Sequence, residues 1–267
     1  MIIDKTWRIL TIGDGDLSFS ASLLTHHQPM SLTATVLDSR EVLLDKYAHN
    51  DYQTLLQKGC SVLCNFDVMD PNSWTNLSTQ RFDLVIFQFP LIPAFKSHQE
   101  FQEKCKEVHI NTLNRQLLRS FLIHSFQHFL DPNGARLCYI TSKDVKPYKE
   151  WNIENALHMQ TSFDYLGWHH FDIEAFPGYK VRNVDRDKHV RDTKGITYVW
   201  SDIKQHPLIP SLNKSLYQGE RYCQLCDTGP YANEQDKLRH QSARKHLNML
   251  NYEAMWQWVL DKESKGE

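Results

Sequence analysis

The chain has 267 residues, 41% of them hydrophobic, which excludes wholesale disorder and allows one full α/β domain plus a small second one. A formal net charge of −2 excludes an overall basic field, so any nucleic-acid contact must come from local patches. No apolar run approaches the eighteen or so residues that span a bilayer, and the start lacks a basic-then-apolar leader, so an intracellular protein without a membrane partner is expected.

In chain order, "WRILTIG" (7–13) reads as a strand, "LSFSASLLTHH" (17–27) as a helix and "LTATVLD" (32–38) as a second strand. "REVLLDKYAHN" reads as a helix, and "SVLCNFD" and "FDLVIFQF" as two further strands. A long helical stretch covers roughly 99–130 and closes on the turn "DPNG". "ARLCYITS" is a fifth strand, "YKEWNIENALHMQ" a helix, and "HHFDIEAF" and "GITYVWS" two late strands forming an antiparallel edge. Fully apolar strands alternating with helices predict a mostly parallel sheet covered on both faces. Residues 1–203 form this domain, 204–219 read as a linker without periodicity, and 220–267 form a small domain rich in Cys, His and basic residues.

The first strand hands over to a helix through Gly13-Asp14-Gly15-Asp16. Glycines let a ligand approach the backbone, but the acids and the absence of a Walker lysine argue against a phosphate cradle. One acid suffices to cap a helix; a second suits a cationic ligand. Asp38 ends the second strand and Asp67 follows the third. Loop acids after three consecutive strands suit S-adenosylmethionine, with its sulfonium, amine and ribose hydroxyls. Read singly, each is a cap or a turn residue; in order, they form a cofactor seat.

The blocks "ILTIGDGDLSFSASL", "ATVLDSREVLLDKY", "FDLVIFQFP", "NRQLLRSF", "KPYKEWNI" and "FPGYKVRN" resemble the eukaryotic methyltransferase domain typified by the large-subunit ribosomal RNA uridine-N3 methyltransferase. The resemblance runs from about residue 7 to 200 and implies a class I methyltransferase fold, Rossmann-like, with the last strand antiparallel. It implies Gly13, Asp14, Gly15 and Asp16 around the methionine part of the cofactor, Asp38 at the ribose, Asp67 at the adenine end, and Gln88-Phe89-Pro90 facing the target base. Family members tend to read Asn-Phe-Pro-His at that loop, whereas this chain has Gln-Phe-Pro-Leu, so Leu91 cannot titrate. Gln88 still offers an amide to a base edge, and Phe89 either stacks on a base or packs in the core. Lys143 and Tyr148 after the fifth strand, and Tyr179, Lys180 and Arg182 in the mixed-charge loop 176–195, are candidates for RNA contact.

Cys223-x2-Cys226-x13-His240-x5-His246 has the residue types and spacing of a closed, structural tetrahedral zinc site. His-x5-His is too long for consecutive turns of one helix, so a bend is expected between them. The stretch also resembles matrin-type zinc fingers; Lys237, Arg239, Arg244 and Lys245 are expected on or beside the finger helix, where they can track phosphates. The expected function is RNA methylation, at uridine N3 of ribosomal RNA by resemblance, in the cytoplasm, nucleus or nucleolus, with no protein partner named by the sequence. A catalytically inactive RNA-binding scaffold and a methyltransferase for a small molecule or protein are the alternatives.

Overall fold

A computed structural model describes residues 1–74, 77, 80–183, 186–189 and 194–266. Its centre is a seven-stranded sheet made of β1 (Arg8–Ile12), β2 (Ser31–Thr35), β3 (Ser61–Leu63), β4 (Leu84–Gln88), β5 (Leu137–Lys143), β6 (Asp164–Phe171) and β9 (Gly195–Ser201). The order is β3-β2-β1-β4-β5-β9-β6, with β9 antiparallel to both neighbours and the other pairings parallel. The expected mixed α/β sheet with an antiparallel last strand is therefore present. β7 (Arg182–Asn183) and β8 (Arg186–His189) form a separate ladder, and the rest of the 176–195 loop lies partly outside the described residues.

Strand residues alternate between two apolar layers, as the period of two demands. Leu10, Val85 and Phe87 face the layer covered by α5 (Ile110–His124), where Leu118, Phe121 and Leu122 are buried. Ile9, Ala34 and Ile86 face the opposite layer, with Phe19 of α1 (Ser18–Ser22), Leu43 of α2 (Arg40–Lys46) and Leu55 of α3 (Tyr52–Gln57).

Several boundaries differ from the sequence expectation. The helix over 17–27 loosens into a π-turn at Leu23–His27. The 99–130 stretch is two helices, α4 (His98–Lys104) and α5, because Ser97 and His109 each cap a new N-terminus. Tyr148–Trp151 is a 3₁₀ turn and only Ile153–Ala156 (α6) is α-helical, the chain being turned at Asn152 with φ +47°. The strand expected over 169–176 is β6, shifted to 164–171, since 172–176 folds back to bury Phe176 on Phe19 and Phe171.

The stretch 204–219 runs along the sheet edge: Trp168 and Asn213 exchange backbone hydrogen bonds of 3.0 and 2.8 Å, and Lys214 Nζ donates to the Leu166 carbonyl at 2.8 Å. Beyond it come α7 (Glu234–Ser242) and α8 (Arg244–Lys265), separated by Ala243 in an extended conformation. Among the described residues no helix is long and apolar enough to cross a membrane.

Candidate methyl-transfer site and metal centre

The chain runs β1–β2–β3 in one direction across the sheet, then returns to place β4 on the other side of β1. At such a switch the loops after neighbouring strands part and leave a crevice at the carboxyl edge. Here it is a cavity of about 190 Å³. Gly13, Asp14, Gly15 and Asp16 line it after β1, Asp38 after β2, Asp67 after β3 and Gln88, Phe89 and Pro90 after β4; Tyr179, Lys180 and Arg182 close it from the late loop. Lys143 and Tyr148 are not brought there. Tyr148 lines a different cleft, together with Trp168 and Tyr217, and the Lys143 ammonium sits 5.6 Å from the Tyr148 ring centre.

The glycine–aspartate loop is held by β2: the Asp14 N–H donates to the Thr35 carbonyl at 3.0 Å and the Gly13 N–H to Thr35 Oγ1 at 3.3 Å. Gly13 has φ +62°, and a Cβ there would lie 3.0 Å from Phe87 Cε2, so both backbone and space call for glycine. Asp14 Oδ2 accepts the Ser20 N–H from the first turn of α1 at 2.6 Å. Burial, reinforced by the Asp16 charge, pushes the Asp14 carboxyl up to about 7. Asp16, 2% exposed, accepts from the Ser18 N–H and Oγ–H at 3.0 and 2.6 Å through Oδ1, and from Arg182 Nε–H at 2.6 Å through Oδ2. The acids read from the sequence as seats for a cation are thus both partnered within the chain. The late loop is pinned here a second time by the Lys180 N–H on Ser18 Oγ at 3.3 Å. Burial, then the charges of Asp14 and Asp16, hold the Tyr179 phenol well above its ordinary range.

Asp38 pairs with Lys46 Nζ at 3.0 Å, and Asp67 Oδ1 accepts the Met69 N–H at 2.8 Å. Both carboxylates also line the cavity. On the opposite wall, Phe89 has φ +48°, a strained conformation for an aromatic residue, held by its N–H on the Thr141 carbonyl at 2.9 Å. Its ring meets Phe171 edge-on at 5.6 Å while still lining the cavity. Gln88 lines the cavity from that turn, and its amide is buried beneath the wall, with neither Oε1 nor Nε2 finding a hydrogen-bond partner among the described residues. Leaving both ends of a buried amide unpaired costs about 1–3 kcal/mol per group, and such orphans call for a bound partner. With Phe87, Leu91 and Leu117 around it, the wall suits a flat group with a donor–acceptor edge.

Three features escaped sequence reasoning. Tyr47 is 2% exposed, and its hydroxyl would sit 3.0 Å from a Cβ at Gly15, which explains the second glycine. Lys46 answers Asp38 from the following helix, a spacing of eight that sequence reading could have paired. Asn114 on α5 accepts the Ile92 N–H at 3.1 Å and so anchors the loop after Pro90, a long-range contact without sequence signal.

The four Cys/His residues converge. The candidate ligand atoms of Cys223, Cys226, His240 and His246 all lie within 4.8 Å of one another. His246 Nδ1 is 3.6 Å from Cys223 Sγ and 3.5 Å from Cys226 Sγ. Legs of about 2.3 Å to sulfur and about 2.0–2.1 Å to nitrogen at a tetrahedral angle put sulfur and nitrogen about 3.5 Å apart, the separation seen. His240 Nε2 is buried without a hydrogen-bond partner among the described residues. The expected bend is the break at Ala243, which puts His240 in the last turn of α7 and His246 in the first turn of α8.

The BMT5-like family model, described as rRNA (uridine-N3-)-methyltransferase BTM5-like, matches residues 10–183. An uncharacterized protein of Arabidopsis thaliana is 30% identical over 178 residues, which are 66% of this chain and 81% of that protein. Heavy metal-associated isoprenylated plant protein 41, also of Arabidopsis thaliana, is 30% identical over 181 residues, 67% of this chain but only 33% of its own length. Among solved structures, a methyltransferase from Pyrococcus furiosus is 14% identical, with 75% of this chain and 77% of that one covered at a TM-score of 0.40. TYW2 of M. jannaschii in complex with AdoMet is 10% identical, covering 75% and 71% at 0.37. At these scores the structures carry no weight for the site. The family match spans the glycine–aspartate loop, the Gln88 turn and the first part of the late loop, and the chain belongs to the BMT5-like family of rRNA (uridine-N3-)-methyltransferases.

Proposed function

We propose that the chain transfers a methyl group from S-adenosylmethionine to N3 of a uridine in ribosomal RNA, and that its Cys2His2 finger binds structural zinc and helps hold the RNA. The observation that carries the reading is a cavity lined by Gln88 on one wall and by Asp14, Asp16, Asp38 and Asp67 on the other, with the Gln88 amide buried just behind its wall and unpaired among the described residues. The donor set fits the cofactor: Asp16 for its ammonium, Asp38 for the ribose hydroxyls, Asp67 toward the adenine, and Gly13 for close approach of the chain. When bound, S-adenosylmethionine supplies an activated methyl on a sulfonium.

The chain's own task is positioning. In-line alignment of two reactants is worth about 7–11 kcal/mol where orientation is good. Turned toward the cavity, the Gln88 side chain can donate from Nε2 to a uracil carbonyl and so orient the ring. Phe89, Pro90 and Leu91 exclude water around it. No titratable group stands in the Gln88–Leu91 turn, so the imide proton leaves without help from that turn. The four finger ligands leave no open position, which makes the zinc structural.

The test is purified chain, labelled S-adenosylmethionine and ribosomal RNA, with nucleosides identified by mass. 3-Methyluridine supports the reading, and Asp38→Ala weakens cofactor binding. A second reading, an RNA-binding scaffold without catalysis, draws on the Arg182 contact that occupies Asp16. Absence of cofactor binding by the intact chain would favour it.

A further inference from the structure

We infer that α8 is a strut holding the finger at a fixed span from the methyl-transfer cavity, with Arg115 and Arg119 of α5 as positioning residues for the RNA. The inference rests on the RNA-methylation reading above. Both arginines belong to the "NRQLLRSF" block, and neither touches the cavity. Arg115, fully buried, donates from Nη2 to Glu253 Oε1 at 2.7 Å and to the Glu150 carbonyl at 2.9 Å. Arg119 donates from Nε to Glu263 Oε2 at 2.9 Å, and from Nη1 to the Leu157 and Met159 carbonyls at 2.9 and 2.7 Å. Between the two glutamates Trp256 is fully buried, and its Nε1–H donates to the Ala156 carbonyl at 3.0 Å. Val259 and Leu260 complete this apolar dock.

Glu253 and Glu263 both lie on α8, outside the family-matched residues 10–183. A buried guanidinium tolerates loss of its carboxylate badly, so the dock resists opening. The same helix carries the metal-site residue His246 in its first turn and has no glycine or proline between residues 244 and 265. Trp256 follows His246 by ten positions along the helix, a stiff arm of about 15 Å. The other approach to the finger is fixed as well, since Asn213 and Lys214 are hydrogen-bonded to β6.

At the far side of the dock, α5 itself builds the site: Leu117 lines the cavity and Asn114 anchors the loop after Pro90. Finger and cavity are therefore two ends of one α8–α5 frame. Arg244, exposed on the first turn of α8, stands at a set distance from Gln88, while the neighbouring Lys245 fastens the helix to the finger knuckle by donating from Nζ to the Cys226 carbonyl at 2.7 Å. A phosphate held there presents only a base at the matching span. RNA too short to reach the finger is indifferent to that span.

The test softens the strut without touching either end. Asn251 is exposed, between the metal site and the dock; Asn251→Pro kinks the helix there, and Asn248→Gly with Asn251→Gly loosens it without a kink. Methyl incorporation is followed in intact ribosomal RNA and in the same RNA hydrolysed to pieces of about ten nucleotides, with zinc content and S-adenosylmethionine affinity measured alongside. Both variants retain zinc, cofactor affinity and activity on the short pieces. The intact-to-short activity ratio falls about tenfold or more, through kcat with KM nearly unchanged, because binding at the finger survives while presentation fails. An equal fall on both RNAs, or no fall on either, overturns the inference. Wild-type chain that methylates short pieces as well as intact RNA overturns it by removing the finger from recognition. Wild-type chain that methylates neither refutes the underlying reading of the site.

Discussion

Arg182→Ala separates the two roles open to Asp16. The Arg182 Nε–Asp16 Oδ2 contact is 2.6 Å, between side chains 14% and 2% exposed. Removing one partner of a buried pair costs about 3–5 kcal/mol. Asp16 keeps both Ser18 donors, which lowers the expected loss to about 2–3 kcal/mol. At about 2–4 °C per kcal/mol for a chain of this size, the ligand-free melting temperature falls by about 4–12 °C. If Arg182 stands in the ligand-free chain where the cofactor's ammonium belongs, the same change frees a carboxylate oxygen, and calorimetry shows S-adenosylmethionine binding severalfold more tightly to the less stable variant. Weaker or unchanged affinity refutes this reasoning and makes Arg182 part of the seat or a bystander to it.

Gln88→Ala removes an unpaired buried amide, so thermal stability holds or rises by about 1 kcal/mol while methylation falls about a hundredfold, seen in single-turnover assays. Asp14 has a folded carboxyl near 7 against an ordinary 3.8, so its charge weighs on the fold increasingly as pH rises from about 4 to 7 and fully above that. Asp14→Asn therefore leaves ligand-free stability unchanged at pH 4 and raises it at pH 8, by at most about 4 kcal/mol, in urea titrations. Cobalt added in place of zinc gives tetrahedral d–d absorption that Cys226→Ser abolishes, and chelation of the metal lowers RNA affinity with cofactor affinity unchanged.

The sheet was legible because buried parallel strands are continuous apolar runs: "LVIF" and "LCYI" are too short for a buried helix and rich in β-branched and aromatic residues. β6 was misplaced by five residues because "DYLGWHH" mixes polar residues and a glycine, as an edge strand does, while "FDIEAF" alternates without pairing. The acids of the site were legible from their places after successive strands, but their partners were not. The Arg182 contact joins residues 166 apart, and nothing local to either predicts it. The break between α4 and α5 was hidden by polar residues that suit an exposed helix as well as a cap.

Among the described residues the strand pairing of β6 with the sheet runs through β9, which is inserted between β5 and β6 although it follows both in the chain. A ribosome that has released β6 but not residues 195–201 leaves two unpaired edges, one of them on the hydrophobic β5. Those edges are templates for pairing with other chains, and closing them needs contacts between segments distant in sequence, which form slowly. The interval before β9 emerges is thus the stretch of synthesis at which a nascent chain most needs a chaperone, and truncations ending near residue 190 should accumulate as aggregates, not as shortened enzyme.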